Sequence, residues 1–235
     1  MSDPKEHVEA LLLAGGRGER LGLGPKAFLA LGGRTLLARA IEATCPVARR
    51  VIVGVPEEFV AEAREACPDD VLVLAGGPRR LDTTLALFHA STAPLIVQHD
   101  VVHPFVTAEL TRQVVAAAEV SGAAMAVSAA AAHAFSGTPR LDRRITTGDA
   151  LWLARKPLAF ARGALLRALA RGIPLAEDTG TAELLLRAGQ PIDLVPVAPW
   201  NIKITTPEDW ALAQALAPLV DRGVLEPVPR RATDV

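Results

Sequence analysis

Cysteine is nearly absent from this chain: Cys45 and Cys67 are the only two in 235 residues. They are too few and too far apart for a disulfide framework or a zinc site, so buried thiols in a reducing compartment are expected. An excess of charge of either sign is also missing, with 25 basic against 26 acidic residues. That removes the electrostatic footprint of a nucleic-acid or anionic-membrane binder, and any phosphate binding must be local. No run of about 20 apolar residues occurs. The nearest candidate, VVAAAEVSGAAMAVSAAAA from Val114 to Ala132, is broken by Glu119, Ser121 and Gly122 and predicts a helix, a turn and a strand. The N-terminus, MSDPKEHVEA, lacks the basic-then-apolar order of a signal peptide. These absences predict a cytoplasmic protein with neither nucleic acid nor membrane as a partner. Nothing repeats at a fixed period.

Half of the residues are hydrophobic, enough for a sizeable core, and a single domain over residues 1–235 is expected. Strand-like runs occur at EALLLA (Glu9–Ala14), RVIVGV (Arg50–Val55), VLVLA (Val71–Ala75), LIVQ (Leu95–Gln98), AMAVS (Ala124–Ser128) and IDLVPV (Ile192–Val197). Between them lie apolar-periodic stretches such as TLLARAIEA, TTLALFHAS and TAELTRQVVAAAE, each able to pack one face on a sheet. Such alternation predicts an α/β protein with a mainly parallel sheet. Residues 129–157 are polar and aperiodic, and predict an irregular arm or an inserted excursion; residues 225–235 predict a loose tail.

One stretch carries a chemical signal. LLLAGGRGERLGLGPKAF, residues 11–28, follows a strand and precedes a helical pattern, the place where open α/β sheets bind ligands. It is neither of the two familiar glycine-rich loops: Leu21 stands where a dinucleotide fingerprint needs its third glycine, and Ala27 follows Lys26 where a Walker loop needs Ser or Thr. What remains is a long turn whose backbone N–H groups, at Gly15, Gly16 and Gly18, can approach phosphate oxygens, with Arg17, Arg20 and Lys26 supplying charge. Pro25 restricts the backbone just before Lys26. The pattern is that of a triphosphate cradle.

AGGRGERLGLGPKAFLALGGRTLL resembles the signature of the methylerythritol-phosphate cytidylyltransferases, and more loosely the nucleotidyltransferases built on a glycosyltransferase-A-like sheet. GGPRRLDTT (Gly76–Thr84), VQHDVVHPFV (Val97–Val106), ALW (Ala150–Trp152) and NIKITTPEDWALA (Asn201–Ala213) agree in order and spacing, so the resemblance spans nearly the whole chain. It implies a Rossmann-like three-layer sandwich with a mostly parallel mixed sheet, of the nucleotide-diphospho-sugar transferase type, and a protruding arm that serves a homodimer. It also implies Mg²⁺-dependent transfer of a cytidylyl group from CTP to a phosphorylated polyol, 2-C-methyl-D-erythritol 4-phosphate, with release of pyrophosphate, in non-mevalonate isoprenoid synthesis. Arg20 and Lys26 would then grip the triphosphate, and Lys203 would reach the α-phosphate. Leu13, Ala14, Gly15, Gly16, Gly18, Gly77, Arg80, Thr83, Asp100 and Val101 would form the nucleotide site, Asp100 also orienting the metal. Two plainer readings stand beside these: Asp100 as a cap or an arginine's partner, and Arg79–Arg80 as a surface pair at a helix start.

Departures from the family cluster on the acceptor side. HDVVHP stands in place of HDAARP, so His103 replaces an arginine; RKPLAF stands where the family has TPQ before a phenylalanine. Thr147, Gly148 and Asp149 stand where an Asp-Arg pair belongs, and Asp178 and Thr179 sit slightly out of register with a Thr-Asp motif. His103, Asp178 and Thr179 remain the candidates for binding the acceptor, with His103 as a weaker phosphate contact, a neutral pocket residue or a structural one. Arg143, Arg144, Arg155 and Lys156 are possible replacement cations, and Trp200 either lines the pocket or packs. Two further functions fit the same motifs: transfer to a different polyol or sugar phosphate, and nucleotide binding without catalysis.

Overall fold

Strand β1 (Val8–Leu13) is buried along its whole length and forms the axis of the molecule. The computed structural model describes residues 4–130, 134–136, 143–145, 151–173 and 179–225. β4 (Arg50–Val55) and β6 (Leu95–Asp100) flank β1 in parallel, and β5 (Leu72–Ala75) extends the sheet beyond β4. On the other side come β10 (Trp152–Ala161), β7 (Ala123–Ala129) and β11 (Asp193–Pro196), giving the order β11-β7-β10-β6-β1-β4-β5. β10 is antiparallel to both of its neighbours; the other pairings are parallel. Two-stranded ribbons form from β2 (Ala30–Leu31) with β3 (Arg34–Thr35), and from β8 (Ala134–Ser136) with β9 (Arg143–Ile145).

Strands covered on both faces have to be apolar on both, and the leucine run of β1 shows why. Leu12 joins Val53, Val97 and Val114 in one core, while Leu11 joins Ile52, Ile96, Phe88 and Leu165 in another. Helices α1 (Leu36–Thr44), α2 (Val60–Ala66) and α4 (Ala108–Ser121) supply the first layer. Helices α3 (Arg80–Ala90), α5 (Arg162–Ala170) and α6 (Thr181–Arg187) supply the second. This is a three-layer α/β sandwich. The stretch Val114–Ala132 divides as its residues predict: α4 runs to Ser121, Gly122 turns with φ 87°, and β7 follows.

A third, smaller core decides where the site forms. Leu21 from the glycine loop, Leu31, Leu36, Phe105 and Ile204 pack with Ala213 and Ala217 of α7 (Pro207–Asp221). Thr206 and Asp209 cap α7 reciprocally, and Pro207 occupies its first turn. Arg39, buried on α1, donates to both carboxylate oxygens of Asp221, at 2.9 and 2.6 Å, and to the Leu31 carbonyl. These contacts hold the segment Asn201–Thr206 against the glycine loop.

β10 departs from the sequence reading. It takes the last six residues of the stretch assigned to the irregular arm, 152–157, into the centre of the sheet, between β6 and β7. Its alternation is masked because the register with β7 shifts between Ala154 and Leu158, around Pro157, which has no N–H to give the ladder. Of the arm, the ribbon β8–β9 and residues from 151 onward are described, and of the tail only Leu225.

Glu9 is the one acidic residue inside β1. Its carboxylate accepts from Arg49 at 2.9 Å and from the Thr92 N–H at 2.9 Å. Burial raises its pKa, but the adjacent Ser91 hydroxyl, the Thr92 N–H, Arg49 and the Ala93 N–H outweigh that and hold it below the ordinary value. The charged form is thus favoured in the fold, and its contribution is complete above the unfolded pKa of about 4.3 and lost as pH falls through the lower folded value. Glu9→Gln is expected to cost about 2 kcal/mol at pH 7. In urea titrations the difference from the parent chain should shrink as pH is lowered below about 4. Gly18 has φ 75°, and a Cβ there would lie 1.8 Å from the Gly24 carbonyl oxygen. Gly18→Ala should cost roughly 1–3 kcal/mol through strain. Gly15→Ala, where a Cβ meets nothing within 4 Å, should leave the urea midpoint nearly unchanged.

Candidate active site

The carboxyl ends of β1, β5 and β6 open into a cleft of about 280 Å³. The glycine loop, the start of α3 and the Asn201–Thr206 segment complete its walls. Leu13, Gly15, Gly16, Arg20, Lys26, Gly77, Arg80, Thr83, Asp100, Val101 and Lys203 line it, together with Pro78, Arg79, Val102, Ile204 and Thr205. Eleven of the residues singled out from sequence therefore meet in one place. Ala14 lies just behind, its N–H bonded to Gly54 O at 2.8 Å. Gly18 serves the loop itself, its carbonyl accepting from Leu21 and Gly22 at 2.9 and 2.8 Å. Arg17 points away to an exposed ion pair with Glu58.

Lys26 is the central charge. It is 7% exposed, and its Nζ donates to Ile204 O at 3.0 Å and Thr205 O at 3.2 Å. Its backbone N–H bonds to Gly16 O at 3.0 Å, which folds the loop back over the side chain. Burial lowers its pKa first, then Arg20 and Lys203, with Asp209 opposing. Arg20 and Lys203 are exposed at the rim.

Thr83, on the first turn of α3, meets the Gly76–Gly77 turn: its Oγ1 accepts from Gly77 N at 3.1 Å. A Cβ on Gly76 would lie 2.7 Å from that oxygen, and one on Gly77 would lie 2.4 Å from Asp82 Cβ. Both glycines are thus required for close approach of backbone to helix. The two arginines divide their work. Arg79 forks onto Asp82 at 2.8 and 2.7 Å, while Arg80 reaches across to Asp100 Oδ2 at 2.5 Å.

Asp100, at the end of β6, is the carboxylate lining the cleft among the described residues. Burial pushes its pKa up, but Lys156, Arg80, His103 and His99 together hold it far below the ordinary range. Its Oδ1 has no hydrogen-bond partner among the described residues. Lys156 Nζ stands 3.7 Å away. The described residues contain no group of three His, Cys, Asp or Glu able to hold a metal. Asp100 is the carboxylate that a magnesium site here would use, with substrate oxygens and water filling the other positions, although its Oδ1 is shared with Lys156 and its Oδ2 with Arg80.

Of the acceptor-side candidates, His103 and Thr179 do not line the cleft. His103 is 4% exposed, and its N–H bonds to Asp100 O at 3.0 Å. Burial, then His99, Lys156 and Lys203, lower its pKa to about 3 against the pull of Asp100. The lowered pKa favours the neutral ring, in line with the neutral or structural reading among those the sequence leaves open. Its ring lies 6.5 Å from that of His99, itself buried and lowered to about 4, chiefly by desolvation. Thr179 is buried, its hydroxyl without a partner among the described residues, and Asp178 lies outside those residues. Trp200 packs edge-on against Phe105, centroids 6.2 Å apart.

Sequence reasoning gave Lys156 only as one of four replacement cations in the arm, without singling it out. It lies on β10, 7% exposed, with burial leading the fall of its pKa to about 8. Asn201 Nδ2 donates to its carbonyl at 3.3 Å. Arg155 turns elsewhere, donating to Ser128 Oγ at 2.9 Å. The signal for Lys156 was the apolar run PLAFA that follows it, a buried strand with a cation at its head. Ile204 and Thr205 belong to the NIKIT motif, but the hold of their carbonyls on Lys26 comes only with the tertiary structure.

A family model described as IspD, 2-C-methyl-D-erythritol 4-phosphate cytidylyltransferase, matches residues 8–218. The 2-C-methyl-D-erythritol 4-phosphate cytidylyltransferase of Deinococcus radiodurans is 36% identical over 219 residues, covering 92% of each chain. That of Thermus thermophilus is 36% identical over 214 residues, covering 89% of this chain and 97% of its own. The crystal structure of a Thermus thermophilus enzyme of the same name superposes with a TM-score of 0.70 at 31% identity, covering 89% of this chain and 98% of its own. With fold and sequence in agreement over nine-tenths of its length, the chain belongs to the 2-C-methyl-D-erythritol 4-phosphate cytidylyltransferase family.

Proposed function

We propose that this cleft transfers the cytidylyl group of CTP to the phosphate of 2-C-methyl-D-erythritol 4-phosphate, releasing pyrophosphate, in isoprenoid biosynthesis. The chain is a nucleotidyltransferase by family. The observation that carries the residue roles is the buried Lys26, held by two backbone carbonyls and crowded by Arg20 and Lys203. Such crowding of like charges is unfavourable until an anion enters, so the site is arranged for a polyphosphate.

An acceptor phosphate oxygen attacks the α-phosphorus in line, and the bond to the β-phosphate oxygen breaks as pyrophosphate leaves. The principal difficulty is electrostatic, because two anions must meet. Lys203 draws the α-phosphate and the attacking oxygen together, while Arg20 and Lys26 take up the charge that grows on the leaving pyrophosphate. Gly15 and Gly16 let backbone approach the phosphates, and the Gly76–Gly77 turn with Thr83 and Arg80 receives the nucleoside. Leu13 O is already engaged by Val101 N at 3.2 Å, which leaves its second lone pair for the cytosine amine. Asp100 would hold Mg²⁺, which would supply charge neutralisation when bound.

A homodimer and a cytoplasmic location complete the proposal. Among the described residues no helix is long and apolar enough to cross a membrane. Leu151 and Leu153 stand exposed where β10 leaves the arm, as a subunit contact there requires. Sedimentation of the purified chain at twice its mass is the expected result, and a purely monomeric boundary at micromolar concentration would exclude the dimer.

Pyrophosphate release tests the activity, with CTP, Mg²⁺ and a panel of polyol phosphates. Turnover with 2-C-methyl-D-erythritol 4-phosphate is expected to exceed that with every other acceptor, and turnover restricted to another acceptor would overturn the assignment. Lys26→Ala and Lys203→Ala should each lose roughly 3 kcal/mol of transition-state stabilisation, on the order of a hundredfold in rate or more, and the exposed Lys203 should leave the unfolding midpoint little changed when removed. A near-parental rate in either would remove that residue from the mechanism.

A further inference from the structure

We propose that Lys156, buried beside Asp100 on its β10 side, is the cation that receives the acceptor's phosphate and so decides which acceptors are used. The proposal rests on the cytidylyl-transfer reading above. β10 runs antiparallel to β6 with Leu158 opposite Gln98. Carrying that register two residues further brings Lys156 beside Asp100, and its Nζ lies 3.7 Å from Asp100 Oδ1.

A lysine is rarely buried unless it is paired, and this pairing is incomplete. At 3.7 Å the contact is longer than a hydrogen bond. Arg80 already holds Asp100 Oδ2 at 2.5 Å, so one carboxylate faces two cations. Lys203 adds to the positive potential at the same point. If Lys156 served only to balance Asp100, Arg80 would make it redundant. The surplus charge instead fits an incoming dianion, which a phosphate monoester supplies.

Position supports the same conclusion. Asn201, two residues before Lys203, donates to the carbonyl of Lys156, so the two lysines are held to one frame. Lys26 and Arg20 lie toward the glycine loop, whereas Lys156 lies on the β10 side of Asp100. An acceptor phosphate held between Lys156 and Lys203 is thereby separated from the triphosphate grip. His103, buried and neutral, provides no positive charge on that side. Arg155, the neighbouring cation, is turned to Ser128.

The test compares the parent chain with Lys156→Met and Lys156→Arg. Steady-state kinetics should show KM for 2-C-methyl-D-erythritol 4-phosphate rising on the order of 30-fold in Lys156→Met. KM for CTP should stay within about twofold, and Lys156→Arg should recover part of the loss. A second readout is independent of the acceptor's identity: calorimetric titration of inorganic phosphate into protein loaded with a non-hydrolysable CTP analogue, where Lys156→Met should weaken binding by a similar factor. If the parent chain turned over no methylerythritol phosphate, the functional reading would fail while this titration still decided the role of Lys156. Parallel loss of CTP and acceptor affinity would make Lys156 a support for Asp100 alone and overturn the proposal, as would an unchanged acceptor KM with unchanged phosphate affinity. Should Lys156→Met fail to fold, acetylation of Lys156 in the parent chain decides, read by mass spectrometry. Protection by inorganic phosphate supports the proposal, and no protection refutes it.

Discussion

The contact between the Lys26 ammonium and the carbonyls of Ile204 and Thr205 holds the two halves of the site together. The partners lie far apart in the chain, and neither the glycine loop nor the Asn201–Thr206 segment has regular structure strong enough to hold its own shape. Each is braced by the other. Leu21, Phe105 and Ile204 bury the apolar side of the junction, Arg39 and Asp221 lock α7 behind it, and Lys26 closes the polar side. Carbonyls hydrogen-bond a buried ammonium without adding the opposite formal charge that a carboxylate would bring. That choice of partner leaves the field directed at the cleft.

The rest of the cleft follows one electrostatic plan. Arg20, Lys26, Arg80 and Lys203 converge on a volume with Asp100 as its carboxylate, and Lys156 approaches from behind. In the absence of anions this arrangement opposes folding, since like charges crowd and two lysines lose hydration. The cost is met elsewhere, by the two apolar cores on either face of the sheet and by fully satisfied groups such as Glu9. A site prepared in this way undergoes little reorganisation as charge moves during phosphoryl transfer.

Much of the architecture was legible because parallel strands buried on both faces must be apolar throughout. Leu11–Leu13, Val51–Val55 and Leu95–Val97 announce themselves, and each begins or ends within about two residues of its expected limits. Gly122 likewise marked the turn between α4 and β7. β10 was hidden for a reason equally local. Its first half carries Arg155 and Lys156, its register shifts around Pro157, and its partners β6 and β7 are distant in sequence. Only those partners make a strand of it. The acceptor side shows the same limit. His103 occupies an arginine's place in the motif, but its burial and lowered pKa depend on tertiary packing, with His99 beside it and the charge of Lys156 nearby.

The residues alone determined the nucleotide half of this protein: a strand, a glycine-rich turn too long for the familiar loops, its cations, and a distant NIKIT whose spacing made the family specific. Those features are local, since backbone freedom at glycine and charge on a side chain belong to the residue itself. Tertiary structure decided which charges act together. The carbonyls that hold Lys26, the division of Arg79 and Arg80 between Asp82 and Asp100, and the arrival of Lys156 beside that same carboxylate depend on strand order. Electrostatic interaction falls with distance in space and takes no account of separation along the chain.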